Sequence, residues 1–302
     1  MANTFTGIIN NVKVVTECLA TMKLHLTPLK IFSLSVGSEP GTVGDIVRVP
    51  IMAASTATTN ATDYQAGDHT VTTVAVTLSE NISSQCHATA LERSKNGTDF
   101  FEKQLVECAK SVAAKCLSET LELVTAAHFS AEGIITAANF DSDALLDLKQ
   151  IAITTLKMRP SDVLNVLLDS PHYINLCKDP ALKDRSASGL DIGLNGEVMK
   201  WSGLNIYEQN LAALTVYGGS EDLRGFIGQP RMMGVTVRPP AILAGANSVF
   251  DMIENVTDDE TGLTLQIRTW VDPQTNTLWG CVETLWGADA VDGSACHRII
   301  AK

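Results

Sequence analysis

The sequence predicts an α+β fold, and three stretches carry that expectation. Residues 98–129 have the spacing of one long amphipathic helix. Residues 45–78 read as two strands joined by a long polar tip. Residues 263–286 alternate like a buried β-hairpin. At 302 residues the chain can bury one large core or two modest ones. With 45% hydrophobic and 19% charged residues, its composition is that of a folded protein, not a disordered one.

The helix organises the rest. Phe101, Leu105, Val112, Cys116, Leu121 and Val124 recur on one face, with Cys108, Ala109 and Ala113 between them. The opposite face carries Lys103, Glu107, Lys110, Lys115, Glu119 and Glu122. Asp99 is the expected N-cap, with Glu102 placed to reach back as in a capping box. No Pro or Gly interrupts the run before Gly133. Such a helix would be about 45 Å long, a beam rather than a core brick.

Residues 1–40 read as an arm with a short helix, broken at Pro28 and followed by the turn-rich Gly37-Ser38-Glu39-Pro40-Gly41. Asp45–Ile51 is a β-type run, and Val71–Leu78 alternates with Thr72, Val74, Val76 and Leu78 on one face. Between them, residues 53–70 are almost all small and polar. A long structureless loop is uncommon unless it has a task, and an isolated two-stranded ribbon is marginal in water. The hairpin is therefore expected to lie on a neighbouring copy of the chain.

After the long helix, Asp141-Ser142-Asp143 opens a second amphipathic helix through Leu145, Leu148, Ile151, Ala152 and Leu156. A calcium loop is a poor fit there, because Leu145 stands at the next ligand position and the required Gly is absent. Arg159-Pro160 ends that helix, Val163–Leu168 reads as a buried strand, and Ser170-Pro171 starts a short helix toward Cys177. Residues 183–197 are loop-like. Strands are expected at 198–207, 214–217 and 223–227. In the last segment Leu263, Leu265, Ile267, Thr269 and Val271 alternate with Thr264, Gln266 and Arg268. Asp272–Asn276 is the turn, Thr277–Trp286 the return strand, and Trp270 and Trp279 are placed to pin the register. Residues 295–300 add a final strand.

Chemistry-bearing patterns are sparse. No G-x-S-x-G, Walker loop, G-x-G-x-x-G or H-E-x-x-H occurs, and the six histidines stand singly. No catalytic residue, metal or cofactor is expected. The seven cysteines include no C-x-x-C pair and read as free, mostly buried thiols. Cys86-His87 and Cys296-His297 could suggest zinc, but adjacent residues in a strand face opposite ways, against one shared metal. The net charge is −12, with no Lys/Arg cluster of the kind a nucleic-acid reader needs. No apolar run has the length of a membrane span, and the first residues lack the layout of a signal peptide. No membrane partner and synthesis in the cytosol are the expectations.

The order of arm, polar-tipped hairpin, spine helix, mixed α/β region and late β-hairpin resembles the major capsid protein of tailed bacteriophages, the Hong Kong 97 or Johnson fold. Met1-Ala2-Asn3-Thr4, Val47-Arg48-Val49-Pro50, Leu167-Leu168-Asp169-Ser170-Pro171-His172 and Val282-Glu283-Thr284-Leu285-Trp286-Gly287-Ala288 look like that family. The resemblance spans the whole chain, and the order carries most of its weight. It implies an N-terminal arm at 1–42 and an E-loop hairpin at 43–94. It further implies a peripheral domain from 95–139 and 246–302, and an axial α/β domain at 140–245, with the 183–197 loop at the centre of each pentamer or hexamer. The implied function is self-assembly into an icosahedral shell around double-stranded DNA, in a virion capsid assembled in the host cytoplasm. Arg48, Asp63, Tyr64 and Asp68 are the candidate inter-subunit contacts.

Portal, scaffolding and decoration proteins are the implied partners besides further copies of the chain. No long charged scaffold region precedes the arm, so the expectation is a separate scaffolding protein and no cleavage of this chain. In the type member a lysine on the E-loop forms an isopeptide bond with a neighbour's asparagine. Here no lysine occurs between Lys30 and Lys95, so no covalent cross-link is expected. Two alternatives remain: an encapsulin-type nanocompartment shell of the same fold, and a cytosolic α/β enzyme with an unrecognised site.

Overall fold

The structure, a computed structural model, describes residues 11–36, 40–52, 71–96, 99–154, 156, 158, 163–183, 200–212, 214–218, 221–242, 250–257 and 263–301. In chain order these form helix α1 (Asn11–His25), strands β1 (Ser33–Val36), β2 (Ile46–Met52), β3 (Val71–Thr77) and β4 (Glu80–Thr89), and helices α2 (Ala90–Asn96) and α3 (Asp99–Leu121). Next come β5 (Glu132–Ile134), α4 (Ser142–Thr154), β6 (Leu164–Leu168), α5 (Ser170–Lys178) and α6 (Pro180–Lys183). Eight strands follow: β7 (Lys200–Trp201), β8 (Leu204–Glu208), β9 (Leu223–Gly228), β10 (Met233–Arg238), β11 (Met252–Thr257), β12 (Thr264–Asp272), β13 (Thr277–Ala290) and β14 (Cys296–Ile300).

Strand β13 is the axis of the first sheet. Along one edge it pairs with β4, from Thr277↔Thr89 to Trp286↔Glu80. Its other edge is shared end to end by β12 and β10. β11 flanks β12, and β1 runs parallel to β10. Helix α3 lies across this sheet on its apolar stripe, with Phe101, Leu105, Val112, Ala113 and Cys116 all buried. Contact is closest at Gly280, where a Cβ would stand 2.6 Å from a Leu105 methyl and 2.9 Å from the Phe101 ring. Only a residue without a side chain lets the helix sit there.

The second sheet runs β5-β14-β9-β6-β8-β7. Every residue of β6 is buried, including Asn165, whose side-chain oxygen accepts from the Asn205 side-chain amide nitrogen at 2.9 Å. Leu145, Leu148 and Ala152 of α4 and Leu176 of α5 pack against it. Asp169 caps α5 by accepting the His172 amide at 3.1 Å, and its side chain also meets the His172 ring. The buried Arg298 guanidinium ties the two halves together: it donates to the Phe129 carbonyl at 2.8 Å and pairs with Glu132 and Glu221. No helix among the described residues is long and apolar enough to cross a membrane.

Several expectations need correction. The long helix ends at Leu121 rather than Phe129, so its 23 residues span about 35 Å. The chain turns there because Leu121, Val124 and Phe129 must all reach the core. It does so through bonds from the Leu123 amide to the Thr120 carbonyl and from the Val124 amide to the Leu121 carbonyl. Residues 11–36 pack onto the rest of the chain. Val14, Cys18 and Met22 of α1 are buried in the first core, and β1 joins its sheet. Residues 214–217 form turns, not a strand, since the Leu214 and Tyr217 amides bond back three residues and bury Leu211, Leu214 and Val216. The described part of the 198–207 run, from Lys200, is two strands around a tight turn at Ser202-Gly203, both with positive φ.

Strand β4 has no counterpart in the sequence reading. Its inward residues Ile82, Ser84, Cys86 and Ala88 are mostly small, so the period-two signal is weak. Sheet membership does not follow chain order. β10 belongs to the first sheet, and β14 crosses into the second.

Candidate assembly surface

The candidate surface is built from the β2–β3 ribbon and the sheet beneath it. The ribbon is a two-stranded antiparallel sheet running from Ile46↔Thr77 to Met52↔Val71. Its root is firmly held. The Gly44 amide donates to the Leu78 carbonyl at 2.9 Å, the Leu78 amide to the Asp45 carbonyl at 2.9 Å, and the Thr42 amide to the Asp45 carboxylate at 2.7 Å. Gly44 takes a φ of 99°, which lets the chain turn back there.

From that root the ribbon crosses β10 and β13. At Gly287 a Cβ would fall 2.2 Å from the Thr77 carbonyl oxygen, so this glycine is what lets the ribbon backbone touch the sheet. Alternation sorts the side chains. Val47, Val49, Val74 and Val76 share one face, and Val76 is fully buried against the sheet. Cover fades outward, leaving Val49 and Val74 half-buried. Ile46, Arg48, Pro50, Thr73, Ala75 and Thr77 form the other face, and all are exposed.

Of the four candidate contact residues, the structure places Arg48. It stands opposite Ala75 on the exposed face and makes no ion pair among the described residues. Asp63, Tyr64 and Asp68 lie outside the described residues, as do the polar tip at 53–70 and residues 184–197 of the expected capsomer-centre loop.

The first sheet carries an aromatic strip that sequence reasoning reached only in part. Trp270 and Trp279 face each other directly across β12 and β13, their rings stacked at 6.1 Å and 7°. Trp279 continues onto His87 of β4 at 4.9 Å, and Trp270 meets Phe250 edge-on at 5.5 Å. Arg268 sits over the Phe250 ring and pairs with the buried Glu283. Burial pushes the Glu283 carboxyl above its usual range, with the Arg268 guanidinium opposing that shift. His87 was missed because β4 was missed.

Cys86 and His87 point to opposite faces of β4: the Cys86 sulfur lies beside Gly280 under α3, and His87 lies on Trp279. Among the described residues no group of three or more His, Cys, Asp or Glu is placed to hold a metal. Asp169 and His172 are both buried, and the His172 Nε2 faces the Ile135 carbonyl at 3.0 Å.

No protein-family model matches the chain, and no curated protein matches it by sequence. Solved structures do match in fold. The capsid of Ralstonia phage GP4 aligns at 12% identity and a TM-score of 0.56, covering 90% of this chain and 87% of that one. The capsid of cyanophage P-SCSP1u aligns at 11% identity and a TM-score of 0.55, covering 90% of this chain and 86% of that one. The virus-like particle from Pyrococcus furiosus aligns at 11% identity and a TM-score of 0.51, covering 97% of this chain and 100% of that one. The fold is thus α+β of the Hong Kong 97 type.

Proposed function

We propose that this chain is a major capsid protein that assembles into the pentamers and hexamers of an icosahedral shell around double-stranded DNA. The fold match over 90% of the chain with a phage capsid carries this reading. The projecting ribbon supports it. Its valine face is fully covered only at Val76, near the root, and a neighbouring copy would cover the half-buried remainder. In this reading 1–42 is the arm, 43–94 the E-loop, 95–139 with 246–302 the peripheral domain, and 140–245 the axial domain. Portal, scaffolding and decoration proteins are its partners, with assembly in the host cytoplasm. The net charge of −12 suits an inner wall that repels DNA rather than trapping it during packaging.

A second reading, a cellular compartment shell enclosing protein cargo, draws on the virus-like particle that this chain matches over that particle's full length. Electron microscopy of the purified chain tests both. Closed shells are expected, and a compact monomer at all concentrations would refute either shell. Nuclease-protected DNA inside native particles selects the capsid, and protein cargo without DNA selects the compartment.

A further inference from the structure

We propose that the cavity between helix α4 and the β5–β14 edge of the second sheet binds a small, uncharged, mostly apolar molecule that carries one hydroxyl group, a phenol being the type. Such a site is independent of the shell reading. The cavity holds about 320 Å³ and is walled by Ile134, Ile135, Ala144, Leu148 and Ile151. An engineered apolar cavity of about 150 Å³ is enough for benzene, so a substituted ring fits here. Ile134 and Asp147 of the lining are exposed, which leaves the cavity open at the sheet edge. Small residues make the room, Ala144 on the helix and Gly133 on the strand.

His297 sets what the cavity can hold. Its side chain lines the wall, the residue is 4% exposed, and neither ring nitrogen has a partner among the described residues. A Cβ on Gly133 would stand 2.9 Å from the His297 Nε2, so the glycine keeps the approach to that nitrogen open. Burial, with the Arg298 guanidinium beside it, lowers the pKa of the ring. The imidazole is therefore neutral at pH 7 and offers one N–H and one lone pair. A wholly apolar occupant would leave both of these buried groups unpaired, which costs affinity. A hydroxyl both donates and accepts, so it suits either tautomer. A charged occupant is a poor match. No cation in the lining would meet an anion, and an ammonium would find only the exposed Asp147, whose pairing contributes little in water.

Equilibrium dialysis and thermal melts of the full chain with 4-ethylphenol test the site. Saturable binding at one site per chain is expected, with a rise in melting temperature. Ethylbenzene, which lacks the hydroxyl, is expected to bind at least about tenfold more weakly. The charged probes 4-ethylbenzoate and 4-ethylbenzylamine should also bind more weakly than 4-ethylphenol. His297→Leu should bring 4-ethylphenol down to the ethylbenzene level. Ala144→Leu keeps a good helix former, fills the cavity from the helix side and should abolish binding of both. No saturable binding by the wild type, up to the solubility of the probes, overturns the site. Equal affinity for 4-ethylphenol and ethylbenzene overturns the role of His297, and tighter binding of either charged probe overturns the ligand class. Binding unchanged in Ala144→Leu overturns the cavity assignment. The wild-type probe series is decisive even where a variant fails to fold.

Discussion

The indole N–H of Trp286 donates to the Thr120 hydroxyl at 3.2 Å, joining the middle of the long β13 strand to the last turn of the spine helix. Both residues are buried, and Thr120 passes its own proton to the Cys116 carbonyl at 2.9 Å. The contact spans 166 residues of sequence and fixes how the sheet sits on the helix. Thr120→Val keeps the shape but leaves the indole N–H buried without an acceptor. The expected loss is about 1–3 kcal/mol in denaturant unfolding, with Thr120→Ser close to wild type. Equal stability of the Val and Ser variants would show that this bond contributes nothing.

His297 gives the fold an acid sensitivity. Its ring is buried, both nitrogens lack a partner among the described residues, and a Cβ on Gly133 would stand 2.9 Å from its Nε2. Burial, with the Arg298 guanidinium beside it, holds its pKa below the usual value near 6.5. The unfolded chain therefore takes up the proton first. The stability that neutral His297 allows is complete above that ordinary value and is lost as pH falls below it. His297→Leu should flatten the melting temperature between pH 7 and 5, where the wild type declines. Parallel pH curves for the two proteins would rule the effect out.

Replacing residues 55–68 by a short glycine-containing turn should leave the fold intact and abolish closed shells. This polar stretch offers few apolar side chains to a core, so its loss should cost little stability. Circular dichroism and sedimentation velocity read the two consequences separately. Normal shells from the shortened chain would contradict a role for the tip.

Mature particles should not be covalently linked. The hairpin lacks an amine between Lys30 and Lys95, and Arg48 cannot serve, because its guanidinium stays protonated. Strength must come from many non-covalent contacts repeated through a closed symmetric shell, with exposed ion pairs contributing only about 0–1 kcal/mol each. Boiling in detergent should release a single band at 32.3 kDa. A multimer ladder that survives boiling and reductant would refute this.

Much of the ribbon and of the aromatic strip was legible before the structure. The ribbon strands follow from the alternating valines at 47, 49, 74 and 76, and the Trp270–Trp279 pair from its place beside a turn. The inner limit of the ribbon was not. It depends on Gly287, one glycine among 21, and only the Thr77 carbonyl above it shows why a side chain is excluded. β4 escaped notice because it turns Ser84, Cys86 and Ala88 inward, the first two only half-buried, where a strand signal asks for branched apolar residues.

Side-chain periodicity is enough to specify the local elements and their inward faces. Period 3.6 at Phe101, Leu105, Val112 and Cys116 dictates the helix and the side it buries, and period 2 at Leu263, Leu265 and Ile267 dictates the strand. Tertiary structure alone decided which strand lies beside which. β10 pairs with β13 although β9 precedes it in the chain, and β14 leaves its hairpin neighbours to lie between β5 and β9. The physical reason is that ladder hydrogen bonds join backbone groups common to nearly every residue. A side-chain pattern reports that a strand is covered, while the identity of its neighbour is set by how Arg298, Trp286 and the glycines fit once the whole core closes.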